Sequence, residues 1–158
     1  MADFALIRID HRLIHGQVVG IWMKELKADH ILVIDDPLAK DSFMQRIYTA
    51  AAPPTAKVEM MAVDQVIERW NEDQFGSGSY LVLLRDVDTV LRVWKGGFPI
   101  KQLQIGNLAA IPGKKLLHKS SRLTQEHLDA LSEMVEGGVE IFCQAVPLEN
   151  KVDLRKLG

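Results

Sequence analysis

The chain of 158 residues has a single cysteine, Cys143, and no Cys-x-x-Cys pair. An internal disulfide is excluded, and this cysteine usage is that of a reducing compartment. Long apolar runs are also missing. None approaches the roughly 18 residues that span a bilayer. The opening MADFALIRIDHR lacks the apolar core and small-residue cleavage site of a secretory signal, so the expected location is cytoplasmic. Nor is there an excess of charge of either sign: 19 Lys and Arg face 21 Asp and Glu, a formal net charge of −2. A protein held on nucleic acid by neutralising phosphates needs a basic surplus, and nucleic acid is not an expected partner. No linker, repeat or shift in composition divides the chain, whose length suits one domain over 1–158. Scaling rules give a folded surface of roughly 8,000 Å² and an unfolded one of about 26,000 Å², enough burial for a core without staples.

What is present is an alternation of short apolar runs with longer segments of helical period. That pattern specifies an α/β fold: an open, mostly parallel twisted sheet of about six or seven strands with helices on both faces. The expected strands are Phe4–Ile9, His30–Ile34, Lys57–Ala62, Tyr80–Leu84, Gln102–Ile105, Lys115–His118 and Val139–Cys143. Several are nearly all apolar, as strands covered on both faces should be. The expected helices are Gly16–Lys27, Asp41–Ala51, Val63–Asp73, Asp88–Lys95 and Thr124–Glu136, the first packing through Val18, Ile21, Trp22 and Leu26. Gly96-Gly97 and Gly137-Gly138 are helix stops, and Pro53-Pro54 ends the second helix. Asp86 and Thr124, with His127 one turn on, are cap residues. Between Gly106 and Lys115 the text GNLAAIPGKK reads as a loop leading into a short edge hairpin.

In open α/β sheets ligands bind beyond the carboxyl ends of the strands. After the first strand comes Asp10-His11-Arg12-Leu13-Ile14-His15-Gly16-Gln17, which runs into a helix whose leading N–H groups and dipole favour an anion. Phosphate chemistry fits this loop. His15 is the natural nucleophile, because a neutral imidazole attacks near pH 7 and can carry a covalent intermediate. Arg12 offers a two-pronged donor to phosphoryl oxygens. Asp10 can orient an imidazole, and Gly16 lets the backbone approach a phosphoryl group. Asp35, Asp36, Arg85 and Asn107 follow other strands and are candidates to line the same crevice. Such chemistry rests on positioning and charge and asks for no cofactor or metal from this chain.

Other readings of the same residues stay open. Asp, Gly and His also furnish an ordinary strand-to-helix turn. A non-covalent phosphate-ligand module is an alternative, although neither GxGxxG nor GxxxxGK[ST] occurs. A metal-assisted hydrolase on His11, His15, Asp35 and Asp36 is another, without an HExxH pair on a helix. Asp35-Asp36-Pro37 also reads as a helix cap. His30 and His118 read as structural or solvated, and His127 as facing out of its helix. Lys114, Lys115 and Lys119 read as a solvated face, and Trp22, Trp70 and Trp94 as core.

The run Arg8-Ile9-Asp10-His11-Arg12-Leu13-Ile14-His15-Gly16-Gln17-Val18 resembles the fingerprint of the IIB components of the mannose/fructose/sorbose class of the bacterial phosphoenolpyruvate-dependent sugar phosphotransferase system. The resemblance continues through Val33–Asp41, Ile105-Gly106-Asn107, Gly113-Lys114-Lys115 and Gly138–Pro147, essentially the whole chain. At position 11 this sequence has His where relatives place Asp, Asn or Glu. The resemblance implies that His15 accepts a phosphoryl group from a phosphohistidine of a IIA component. It passes that group to a sugar held by membrane IIC/IID components, beside which the protein would work peripherally. Arg12 would steady the phosphoryl group, Asp10 would shape the loop, and His11, Gly16 and Gln17 would complete it. The chain begins just before its first expected strand and ends soon after Leu154, which implies a IIA on another polypeptide.

Overall fold

The computed structural model describes residues 1–157. Its main sheet has seven strands in the order β3-β2-β4-β1-β5-β8-β9, formed by β1 (Asp3–Asp10), β2 (His30–Ile34), β3 (Lys57–Met61), β4 (Ser79–Leu84), β5 (Gln102–Asn107), β8 (Glu140–Cys143) and β9 (Val152–Asp153). All neighbours are parallel except β9, which runs antiparallel to β8. The helices are α1 (Gly16–Leu26), α2 (Asp36–Ala39), α3 (Ser42–Ala51), α4 (Val63–Asp73), α5 (Val87–Lys95) and α6 (Gln125–Glu136). A 3-10 turn, Leu154–Lys156, ends the described chain.

Both faces of the central strands are dry because successive side chains alternate between two helical layers. From β1, Ile7 and Ile9 join Val66, Val90, Val93, Leu131 and Met134 of α4, α5 and α6. On the other face Val33, Leu81 and Leu83 pack with Val19, Trp22 and Met23 of α1 and with Met44 and Tyr48 of α3. Ile31–Ile34 and Leu81–Leu84 have no exposed surface at all. Each such Val, Ile or Leu contributes about 1.5–3 kcal/mol of transfer free energy. The exposed area, 8391 Å², is near that expected for a chain of this length.

Three expectations from sequence are corrected. Lys115–His118 forms the expected short hairpin but not as part of the main sheet: β6 (Leu116–His118) pairs with β7 (Leu123–Thr124) in a separate antiparallel ribbon, and the seventh main strand is β9. The first helix packs through Trp22, Val18 and Leu26 as expected, but not through Ile21. Val19, Trp22 and Met23 are buried, whereas Ile21 is 47% exposed. Leu13 and Ile14, from the preceding loop, share that core. His127 does not face outward. Its Nδ1 accepts the Thr124 N–H at 3.0 Å, while the Thr124 hydroxyl accepts the His127 N–H, closing a capping box. The glycine pairs do stop α5 and α6, with the left-handed φ at the second member of each, Gly97 (104°) and Gly138 (94°).

Of the remaining histidines, His30 bonds Asp29 at 2.6 Å and stacks on Tyr80, and His118 bonds the Ser121 hydroxyl at 2.8 Å. Trp70 and Trp94 pack on the core, and Trp70 lies with Phe4 and Phe98 in an aromatic cluster. Among the described residues no helix is long and apolar enough to cross a membrane.

Candidate active site

The connection leaving β1 turns to the layer of α1 and α3, and that leaving β5 turns to the layer of α6. Neighbouring strands whose connections part in this way open a crevice at their carboxyl ends. The loop from Asp10 to His15 lies there. Asp10 is registered against Asn107 of β5, and the His11 N–H donates to the Asn107 carbonyl at 2.9 Å.

The loop is drawn tight by its own groups. Leu13 N–H donates to the Asp10 carbonyl at 2.9 Å, and Leu13 takes a left-handed φ of 54° while its side chain is buried. The strained residue of the turn is therefore Leu13. Gly16 has ordinary helical backbone, and a Cβ there would meet nothing nearer than the Ala51 carbonyl at 3.8 Å. Asp10 is 1% exposed. Its Oδ1 accepts the Arg12 N–H at 3.1 Å and lies 3.9 Å from Arg12 Nε. The Arg12 side chain remains 48% exposed, free to meet a ligand.

His15 is the N-cap residue of α1, in extended conformation, and its side chain makes no bond to the helix start. This sets α1 apart. Asp35 caps α2, Asp41 caps α3, Asp86 caps α5 and Thr124 caps α6. The start of α4 receives Oδ1 of Asp36, which accepts the Val63 N–H at 2.9 Å. Among the described residues only α1 has neither a side-chain oxygen on its first turn nor an acid within it. Its leading N–H groups thus face the loop with the dipole uncompensated. Burial first, and then the Arg12 guanidinium, push the His15 pKa below its ordinary value of 6.5, with Asp10 opposing. The imidazole is accordingly neutral near pH 7.

Three buried side-chain atoms lack hydrogen-bond partners among the described residues, and all three belong to this site: His11 Nδ1, His15 Nε2 and Asn107 Oδ1. With Nε2 covered, Nδ1 is the more accessible ring nitrogen of His15. Gln17 is exposed at the helix start.

The second group of candidates divides. Asp35, buried at the end of β2, receives Arg85 through two contacts of 3.2 Å, Nε to Oδ1 and Nη2 to Oδ2, while also accepting the Leu38 N–H. That pairing raises the Arg85 pKa. Asp35 and Arg85 share the carboxyl edge of the sheet with the loop. Asp36 departs from the crevice: besides capping α4 it pairs with Arg92 of α5 at 2.9 Å, on the opposite layer. Among the described residues no three His, Cys, Asp or Glu side chains converge as metal ligands do, and both carboxylates of the hydrolase alternative are committed to arginines.

Sequence reasoning missed Arg8, Gln104 and Gln144, three polar side chains buried beneath the loop. A signal was available. Arg8 and Asp10 alternate with Ile7 and Ile9 on β1, and Gln104 alternates with Leu103 and Ile105 on β5, so each falls on the face opposite those core residues.

A family model described as "PTS system sorbose subfamily IIB component" matches residues 4–157. The sorbose-specific EIIB component of Lacticaseibacillus casei is 31% identical over 94% of this chain and 91% of its own length. An N-acetylgalactosamine-specific phosphotransferase enzyme IIB component of Escherichia coli (strain K12) is 32% identical over 99% of both. The crystal structure of manxB from Thermoanaerobacter tengcongensis superposes with a TM-score of 0.90 at 38% identity, covering 98% of this chain and 94% of that one. A family model matching nearly the whole chain and a fold shared end to end with these proteins place the chain in the sorbose subfamily of phosphotransferase-system IIB components, the phospho-carriers of sugar uptake.

Proposed function

We propose that His15 is the residue of this chain that carries the phosphoryl group, on Nδ1. The donor is a phosphohistidine of a IIA component. The bond from its nitrogen to phosphorus breaks as the bond from phosphorus to His15 Nδ1 forms, and the electron pair returns to the donor imidazole. In the second half a sugar hydroxyl held by the membrane IIC/IID components attacks phosphorus, the bond to Nδ1 breaks and the hydroxyl proton is released. Such transfer depends on alignment and charge neutralisation. Arg12 supplies the guanidinium fork, the α1 N–H groups at Gly16 and Gln17 supply the fixed dipole, and Asp10 holds Arg12 to the loop. His11 and Asn107 line the site, and Asp35 with Arg85 forms the crevice wall. Residues 1–158 act as one IIB domain, docking from the aqueous side of the membrane.

The observation that carries this reading is the single uncapped helix start, α1, placed directly after His15. The test is incubation with phosphoenolpyruvate, the general components of the system and IIA. Wild-type protein is expected to take label on Nδ1, seen by phosphorus–nitrogen coupling in NMR. His15→Ala is expected to take none while keeping its fold, since a half-exposed loop imidazole adds little core burial. Label that persists in His15→Ala, or that vanishes only with His11→Ala, refutes the assignment.

A further inference from the structure

Beneath the loop lies a cation with no part in the chemistry above. Arg8 precedes Asp10 by two residues on the same face of β1 and is 3% exposed. Its Nη1 donates to the Gln104 side-chain carbonyl and, at 3.0 Å, to the main-chain carbonyl of Gln144; its Nη2 reaches Asp10 Oδ2 at 3.4 Å. The acceptors are themselves fixed. Gln104 Nε2 donates to Gln144 Oε1 at 3.0 Å, and Gln144 Nε2 donates to the Glu149 carbonyl at 2.8 Å. Gly106 closes the cradle, because a Cβ at that position would overlap the guanidinium.

A buried ion pair is weak support for a fold, since apolar residues of similar volume often serve as well or better. The geometry points to a different use. Asp10 has one oxygen for each arginine: Oδ2 for Arg8 and Oδ1 for the main chain and guanidinium of Arg12. Holding Oδ2 fixes the rotation of the carboxylate and so the direction in which Oδ1 presents Arg12. We propose that Arg8 is a positioning residue for phosphoryl transfer, setting through Asp10 where the Arg12 fork meets the phosphoryl group. This rests on the roles assigned above to His15 and Arg12.

A double-mutant cycle tests it, with rapid-quench kinetics of transfer from phosphorylated IIA to wild type, Arg8→Lys, Arg12→Ala and the double variant. Lysine keeps the charge but not the fork. Arg8→Lys is expected to lower kcat about tenfold at unchanged KM, the mark of an interaction realised in the transition state. In the Arg12→Ala background the same change is expected to cost less than about twofold, because residues acting through one another are not additive. Gly106→Ala displaces the guanidinium without removing it, is expected to give the same pattern, and carries the test if Arg8→Lys does not fold. Wild-type rates in either folded variant, a change in KM alone, or losses that multiply in the Arg12→Ala background overturn the role of Arg8. A normal rate in Arg12→Ala overturns it too, by removing the residue through which Arg8 acts. Labelling of His15→Ala reports separately on the site itself: label lost together with multiplying losses refutes Arg8 alone, and label retained refutes the site.

Discussion

Replacing Leu13 separates two opposing contributions to the phosphate loop. The residue sits at φ 54° with its side chain 1% exposed, so its backbone is unfavourable and its side chain is deeply favourable. The left-handed well costs a residue bearing a Cβ about 1–2 kcal/mol relative to glycine. Truncating a buried leucine to alanine costs about 3 kcal/mol, combining lost transfer and the cavity left behind. Leu13→Ala keeps the strain and loses the burial, and an unfolding free energy about 3 kcal/mol lower is expected. Leu13→Gly releases the strain but loses the buried Cβ as well, about 0.8 kcal/mol, and costs about 0.4–1 kcal/mol more for the greater freedom of glycine in the unfolded chain. These contributions nearly cancel, and Leu13→Gly is expected to match Leu13→Ala to within about 0.8 kcal/mol. At an unstrained buried position glycine would fall below alanine by about 1.2–1.8 kcal/mol. Urea unfolding of the three proteins, followed by tryptophan fluorescence and compared at equal m, measures it. Leu13→Gly falling below Leu13→Ala by about 1.2 kcal/mol or more would refute the strain account.

Arg12→Lys keeps a positive charge and loses the planar fork. With a charged hydrogen bond contributing about 1.5–3 kcal/mol, transfer from phosphorylated IIA is expected to slow at least about tenfold. Equal rates by rapid quench would reduce Arg12 to a surface charge or a structural partner of Asp10. His15 is expected to titrate below 6.5 by proton NMR, with burial and then Arg12 as the causes, and Arg12→Gln is expected to raise that value. Because the folded pKa is depressed, the unfolded chain binds the proton first as the pH falls. The contribution of neutral His15 to stability is therefore present above pH 6.5 and lost below it, and His127, depressed by burial, acts in the same direction. A wild-type His15 titrating at or above 6.5, or one indifferent to Arg12→Gln, contradicts this.

The six long strands and five main helices were legible because each buries enough apolar surface to leave a periodic trace. β9, with two residues, and α2, with four, are too short to show a period, and what holds them is antiparallel pairing with β8 and a proline-bearing turn capped by Asp35. On α1 the packing of Val18, Trp22 and Leu26 was legible and only Ile21 was misplaced, in a core that Leu13 and Ile14 of the preceding loop share. In the site, the loop with Arg12 and His15 was legible because its residue types are reactive and lie together. The cradle around Arg8 was not, because Gln104 and Gln144 lie 96 and 136 residues from it and meet it only once the strands are ordered β1-β5-β8. The departure of Asp36 to α4 and Arg92 is a matter of which face its side chain takes, which adjacency to Asp35 does not reveal.

The stretch from Gln144 to Asn150 has no regular secondary structure, yet its carbonyls accept from Arg8, from the Gln144 amide and, at Ala145, from the Trp22 indole at 3.0 Å. What that stretch lends to the fold is its main-chain path, while Leu148 at its tip is 98% exposed. Freedom of spelling and freedom of length are consequently uncoupled there. Side chains at the tip can be exchanged with little effect, whereas adding or deleting one residue would move the acceptors out of register with both the buried arginine and the helix that begins after His15.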